Sequence, residues 1–197
     1  MAENNVINNE NTEQDLSEIL KVRREKLAAL KEQGSDPFKI TKFNVTHKAG
    51  DIKANFDTYE EKPVVIAGRM MSRRIMGKAS FCNVQDVNGN IQLYVSRNDL
   101  GEDEYAAFKK LDIGDIIGVE GSVFKTKTGE ISIHTTKITL LSKSLLPLPE
   151  KFHGLKDTDT RFRQRYVDLI VNPDVKRNFI IRSKFIKFMR KYLDDMD

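Results

Sequence analysis

An Asn-Gly pair, Asn88-Gly89, stands between two segments that alternate apolar and polar residues, SFCNVQ at 80–85 and IQLYVS at 91–96. An Asn-Gly pair so placed is the strongest short-range signal for a β-hairpin, because both central residues of a type I′ turn need positive φ. With Val87 and Asn90 flanking the turn, the predicted register sets Asp86 against Ile91, Gln85 against Gln92 and Val84 against Leu93. It continues with Asn83 against Tyr94, Cys82 against Val95 and Phe81 against Ser96. Side chains on a strand alternate between faces. One face of this hairpin therefore carries Cys82, Val84, Leu93 and Val95, all apolar. The other carries Phe81, Asn83, Gln85, Gln92 and Tyr94.

The second face sets the expectation for function. A sheet face that only meets water favours charges and Thr. Rings interleaved with amides suit unstacked nucleobases, since a ring stacks on a base and an amide reads its edge. The competing use is a second small core beneath a neighbouring helix.

The segments around the hairpin complete a barrel pattern. PVVIAGRMMSRR, from Pro63, reads as a preceding strand. After the hairpin, Glu102 to Leu111 reads as a short helix with Tyr105, Ala106, Phe108 and Leu111 apolar. A fourth strand is predicted over Ile116 to Thr126, with Ile117, Val119 and Val123 inward, and a turn at Thr128-Gly129. A fifth follows over Glu130 to Leu141. Its apolar residues fall on odd positions at Ile131 and Ile133 and on even ones at Ile138 and Leu140, which indicates a β-bulge. Three strands, a helix and two strands is the order of a five-stranded Greek-key OB-fold barrel, which binds oligonucleotides on the face of strands two and three.

Outside the barrel, the Asn- and Glu-rich residues 1–11 are expected to be disordered. A helix is predicted over about 13–33, opened by a Thr12–Asp15 capping pair and closed by Gly34 and Pro37. Leu16, Ile19, Leu20, Leu27 and Leu30 share one face of it. Lys21, Arg23, Arg24, Lys26 and Lys31 are candidate RNA-backbone contacts on it, with packing against the body of the protein as the other use. Residues 35–62 read as loop with one short helix near Ala54 to Glu61. Leu145-Leu146-Pro147-Leu148-Pro149 reads as a stiff extended connector. Phe179, Ile181, Phe185, Phe188, Met189 and Tyr192 trace an apolar stripe on a last helix from about Asp174 to Asp194. The expected divisions are an N-terminal extension, 1–61; the barrel, 62–143; a connector, 144–160; and the opening of a further domain, 161–197. The uncovered stripe suggests a fragment.

Composition narrows the classes. Charged residues make up 31% of the 197, above the about 25% of an average domain, so much of the chain is solvated surface. No apolar run approaches 18 residues, as a membrane span requires, and the first residues contain no apolar signal-peptide core. The lone Cys82 and the scattered His47, His134 and His153 supply no metal-ligand set and no internal disulfide. A reducing cytoplasm is the expected compartment. The net charge of +4 decides little, but residues 62–85 carry Lys62, Arg69, Arg73, Arg74 and Lys78 without an acid, and 175–193 repeat the pattern with seven basic residues. Such stripes suit a polyanion partner.

Four stretches together carry a resemblance: GRMMSRRIMGKASFCNVQDVNGNIQLYV at 68–95, GDIIGVEGSVFKTKTGEISI at 114–133, LPLPEKFHGLKDTDTRFRQRYVDLI at 146–170 and the RSKF helix from 182. The chain resembles class II lysyl-tRNA synthetases of the bacterial type over about residues 12–197. The resemblance implies anticodon binding on the barrel of an enzyme that activates lysine with ATP and Mg²⁺ and transfers it to tRNA(Lys). By position, Phe81 would stack on the central uridine and Gln92 would hydrogen-bond its edge. Arg73 or Arg74 would contact backbone or bases, and Glu130 the first anticodon base. Arg69, Lys78 and Arg24 are further candidate tRNA-backbone contacts. The last helix corresponds to the family's first motif, which forms a homodimer interface. The second and third motifs, with the ATP-binding arginines, metal-binding acids and lysine pocket, are absent from residues 1–197. No residue is therefore assigned as catalytic or as a metal ligand, and the polypeptide is expected to bind tRNA without catalysing aminoacylation. The alternatives are a free-standing OB-fold module for single-stranded nucleic acid, and an interaction protein whose two terminal helices recruit partners.

Overall fold

The computed structural model describes residues 3–149, 155 and 157–196, with side chains described from residue 16. The side chains of the Thr12–Asp15 pair, and the whole of His153, lie outside the described residues. The chain divides into two compact units, Met1–Pro147 and Leu148–Asp197.

The first unit opens with helix α1, Glu3–Glu32. It begins well before the predicted start near residue 13. The disorder expected of residues 1–11 is not what the backbone shows from Glu3 onward: the stretch is rich in Asn, a weak helix former, but each residue added to an existing helix gains a hydrogen bond. The predicted single short helix near 54–61 is instead two, α2 (Ala49–Ala54) and α3 (Phe56–Tyr59), divided at Asn55. Between α1 and α2 the chain crosses the barrel wall. Thr46 N donates to Val65 O at 2.9 Å, and the Phe43 ring lies so close to Gly118 that a Cβ there would stand 2.4 Å from it. This lane fits only a glycine.

The barrel is closed, in the order β1-β2-β3-β5-β4. Its strands are β1 (Pro63–Met76), β2 (Ala79–Gln85), β3 (Asn90–Ser96), β4 (Ile116–Lys125) and β5 (Ile131–Ser142). Between β3 and β4 lie α4 (Arg97–Leu100) and α5 (Glu102–Lys110). All pairings are antiparallel except β3 with β5. The fold is thus the OB-fold that the order of elements predicts. Val64, Ile66, Met70, Cys82, Val84, Leu93, Val95, Ile117, Val119, Val123 and Ile133 fill the interior, and Tyr105 and Phe108 of α5 close one end. The predicted bulge in β5 is present: Gly121 pairs with Thr135 and Glu120 with Lys137, which leaves Thr136 extra.

The predicted hairpin register is two residues out. Phe81 pairs with Tyr94, Cys82 with Leu93, Asn83 with Gln92 and Val84 with Ile91. The loop is longer than a two-residue turn, and Asn88 keeps negative φ. Asp86 is the cause. Its carboxylate accepts from Asn88 N at 2.7 Å, Gly89 N at 2.9 Å and Ala49 N at 2.6 Å, and its own N–H donates to Gly89 O. A side chain that satisfies the turn in this way replaces the type I′ geometry. A shift of two leaves every side chain on its predicted face.

A buried ionic network fastens α1 to the barrel. Lys143 Nζ donates to Asp115, which is fully buried, at 2.8 Å and also to Asp112, and Lys26 meets Asp112 at 2.6 Å. Arg23, buried, donates to the carbonyls of Ser144, Leu146 and Ile113. Arg23 and Lys26, candidates for RNA contact, are thus docking residues. Of the predicted apolar face, Leu27 is buried, while Leu16 and Ile19 are exposed.

The second unit holds α6 (Thr158–Arg163), α7 (Arg165–Val171) and α8 (Pro173–Asp194). Asp168 accepts from Asn172 at 2.6 Å, Arg161 at 3.0 Å and Arg165 at 2.6 Å. These donors hold its carboxyl below the usual range. The stripe on α8 is exposed from Phe179 to Tyr192.

Candidate nucleic-acid interface

The face of β1, β2 and β3 that points out of the barrel borders an open cleft of about 690 Å³. Its wall contains Arg74, Phe81, Asn83, Gln92 and Tyr94, and the β4–β5 hairpin adds Phe124 and Lys127. Phe81 and Tyr94 are cross-strand partners with ring centroids 5.5 Å apart, and Tyr94 meets Phe124 at 6.1 Å. The rings are partly exposed and cannot be a sealed second core. Asn83 Nδ2 donates to Ser72 Oγ at 3.0 Å, and Gln92 Oε1 accepts from Ser132 Oγ at 2.9 Å.

Both candidate arginines border the cleft, but their guanidinium groups part company. A bulge in β1 between Met70 and Ser72 reverses the phase of the strand. Arg74 then stands opposite Phe81, on the cleft face, and Arg73 opposite Cys82. The Arg73 guanidinium donates to the carbonyls of Phe108 at 3.0 Å, Lys109 at 2.7 Å and Leu111 at 2.7 Å, the open carbonyls at the end of α5. Arg74 is exposed, and among the described residues nothing holds its guanidinium.

The remaining candidates are spread out. Arg69 donates to Gly114 O at 2.7 Å, and burial lowers its pKa against the opposing pull of Asp115. Lys78 is exposed in the turn between β1 and β2, and Arg24 is exposed on α1. Glu130 is outside the cleft wall and pairs with Lys53 at 2.8 Å.

Phe124 and Ser132 are among the residues at the cleft that the sequence did not single out. Phe124 sits on the opposite phase from Ile117, Val119 and Val123, and an aromatic residue out of phase in a barrel strand was the available signal. Ser132 had none, because its role depends on the pairing of β3 with β5.

Residues 64–141 match the model of the OB-fold nucleic acid binding domain, tRNA_anti-codon type. Over 187 residues, 95% of the chain, it is 52% identical to a lysine–tRNA ligase of Clostridium tetani (strain Massachusetts / E88). The chain is homologous to lysine–tRNA ligases. A lysine–tRNA ligase of Pelotomaculum thermopropionicum is 57% identical over 92% of the chain, and one of Clostridium botulinum (strain Loch Maree / Type A3) 53% over 98%. The chain spans 37% of the length of the C. tetani lysine–tRNA ligase, 36% of the P. thermopropionicum one and 38% of the C. botulinum one.

Proposed function

We propose that the cleft binds the anticodon loop of tRNA(Lys). In this reading the central uridine stacks on Phe81, Gln92 bonds its edge, Arg74 contacts the phosphate backbone, and Glu130 meets the first anticodon base once it leaves Lys53. The observation that carries the reading is the convergence of Phe81, Gln92 and Arg74 on one cleft, in a chain that aligns along 95% of its length with a lysine–tRNA ligase. Arg74 takes the role left open between the two arginines, because the guanidinium of Arg73 is engaged with α5.

We propose further that the longer protein activates lysine with ATP and Mg²⁺ in the cytoplasm, as a homodimer that covers the apolar face of α8. Among the described residues no three His, Cys, Asp or Glu side chains gather closely enough to hold a metal ion. Residues 1–197 serve binding, and the step on lysine belongs to the longer protein. Among the described residues no helix is long and apolar enough to cross a membrane. The test is a titration of a tRNA(Lys) anticodon stem-loop against loops with each base replaced in turn. Tight binding to UUU that weakens on replacing the central uridine supports the reading, and equal binding to all loops contradicts it.

A further inference from the structure

We infer that Ser132 is a positioning residue that makes Gln92 prefer uracil to cytosine at the base seated on Phe81. The inference rests on the anticodon reading above. A primary amide is ambidentate, with a donor end and an acceptor end of nearly the same shape. Left free to turn over, it serves either pyrimidine. Uracil offers its O4 acceptor beside the N3–H donor, and cytosine reverses both, with an N4 amino donor beside an N3 acceptor.

Gln92 is not free to turn over without cost. Ser132 is fully buried on β5, directly opposite Gln92 in the parallel pairing. Its Oγ donates to Gln92 Oε1 at 2.9 Å, and a second acceptor, Glu130 O, lies at 3.3 Å. A hydroxyl has one hydrogen to give, and the shorter contact takes it. Oε1 is thereby held toward β5 and keeps a second lone pair, while Nε2 has both hydrogens to offer the cleft. That arrangement donates to O4 and accepts from N3–H, the uracil pattern. To meet cytosine the amide must turn over. Nε2 would then face Ser132 Oγ, and the hydroxyl hydrogen would have to move to the longer contact with Glu130 O.

The test uses the full chain and anticodon stem-loops with U or C at the central position. Ser132→Ala should lower the ratio of U-loop to C-loop affinity by roughly threefold to tenfold, the net worth of one hydrogen bond. Ser132→Thr, which keeps the hydroxyl, should retain the ratio. Ser132→Cys matches the serine in shape with a weaker donor. It should lower the ratio too, and it decides the matter if the alanine variant does not fold. In a Gln92→Ala background, Ser132→Ala should change nothing further, because the effect runs through the amide. A U-to-C ratio that folded Ser132→Ala or Ser132→Cys leaves unchanged overturns the role of Ser132 and leaves the anticodon reading intact. Failure of the unaltered protein to bind either loop overturns the anticodon reading itself.

Discussion

Arg73 and Arg74 are adjacent in the chain and leave the sheet on opposite faces. Arg73, opposite Cys82, caps the carbonyls at the end of α5. Arg74, opposite Phe81, stands free at the cleft. Period-two alternation makes neighbours into opposites, and the bulge between Met70 and Ser72 decides which of them points out of the barrel beside Phe81.

The two alanine variants should therefore fail differently. Arg73→Ala strips a charged donor from three carbonyls and should cost about 1.5–3 kcal/mol of stability, with affinity for an anticodon loop little changed in the protein that remains folded. Arg74→Ala should leave the melting temperature alone and weaken binding, with the slope of log affinity against log salt reduced by about 1. Thermal melts and binding at several salt concentrations separate the two. A stable Arg73→Ala with reduced salt dependence would reverse the assignment.

Cys82 reports on the integrity of the barrel. Burial pushes its thiol up to about 12, against a weaker opposing pull from the Arg73 guanidinium. The thiol should resist alkylation by iodoacetamide at pH 8 and react readily in denaturant. The sign of the linkage is fixed: the unfolded thiol ionises near 9 and the folded one near 12. The contribution is present in full below pH 9 and is lost as pH rises toward 12. Rapid labelling of the native protein would place Cys82 outside the core.

The network that holds α1 should be costly to break. Lys143→Met leaves Asp115 and part of Asp112 without their buried cation, a loss of about 3–5 kcal/mol. Burial alone would raise the pKa of Asp112, but its hydrogen bonds and charge pairing with Lys143 and Lys26 outweigh that and lower it. A lowered carboxylate stabilises the fold above its unfolded pKa, near 3.8, and the contribution is lost as pH falls below that. In Lys143→Met the acid-unfolding midpoint should move to higher pH. Circular dichroism across an acid titration reads it, and an unmoved midpoint would remove Lys143 from the account.

Much of this was legible in the chain itself. Strand alternation identified the barrel, its order and its inward residues, and the phase of Ile131 and Ile133 against Ile138 and Leu140 located the β5 bulge. The faces of the hairpin survived a register error because the error was an even number of residues. What stayed hidden depends on contacts between distant segments. Asp86 reshapes the turn partly through Ala49 N. Arg23 and Lys26 look like surface cations until residues 112–146 supply their partners. Ser132 matters only because β5 lies beside β3.

The central claim is that Phe81 and Gln92 hold the middle base of the anticodon, and the direct measurement is the affinity of Phe81→Ala and Gln92→Ala for a UUU anticodon stem-loop beside Cys82→Ala as control. Phe81→Ala should cost about 1–3 kcal/mol of binding through lost stacking. Gln92→Ala should cost about 1 kcal/mol, mainly for uridine at the centre of the loop. Both should keep their melting temperature, while Cys82→Ala, inside the barrel, should lose stability and keep affinity. Full affinity in folded Phe81→Ala, with binding lost in Cys82→Ala instead, would contradict the face assignment and the anticodon reading built on it.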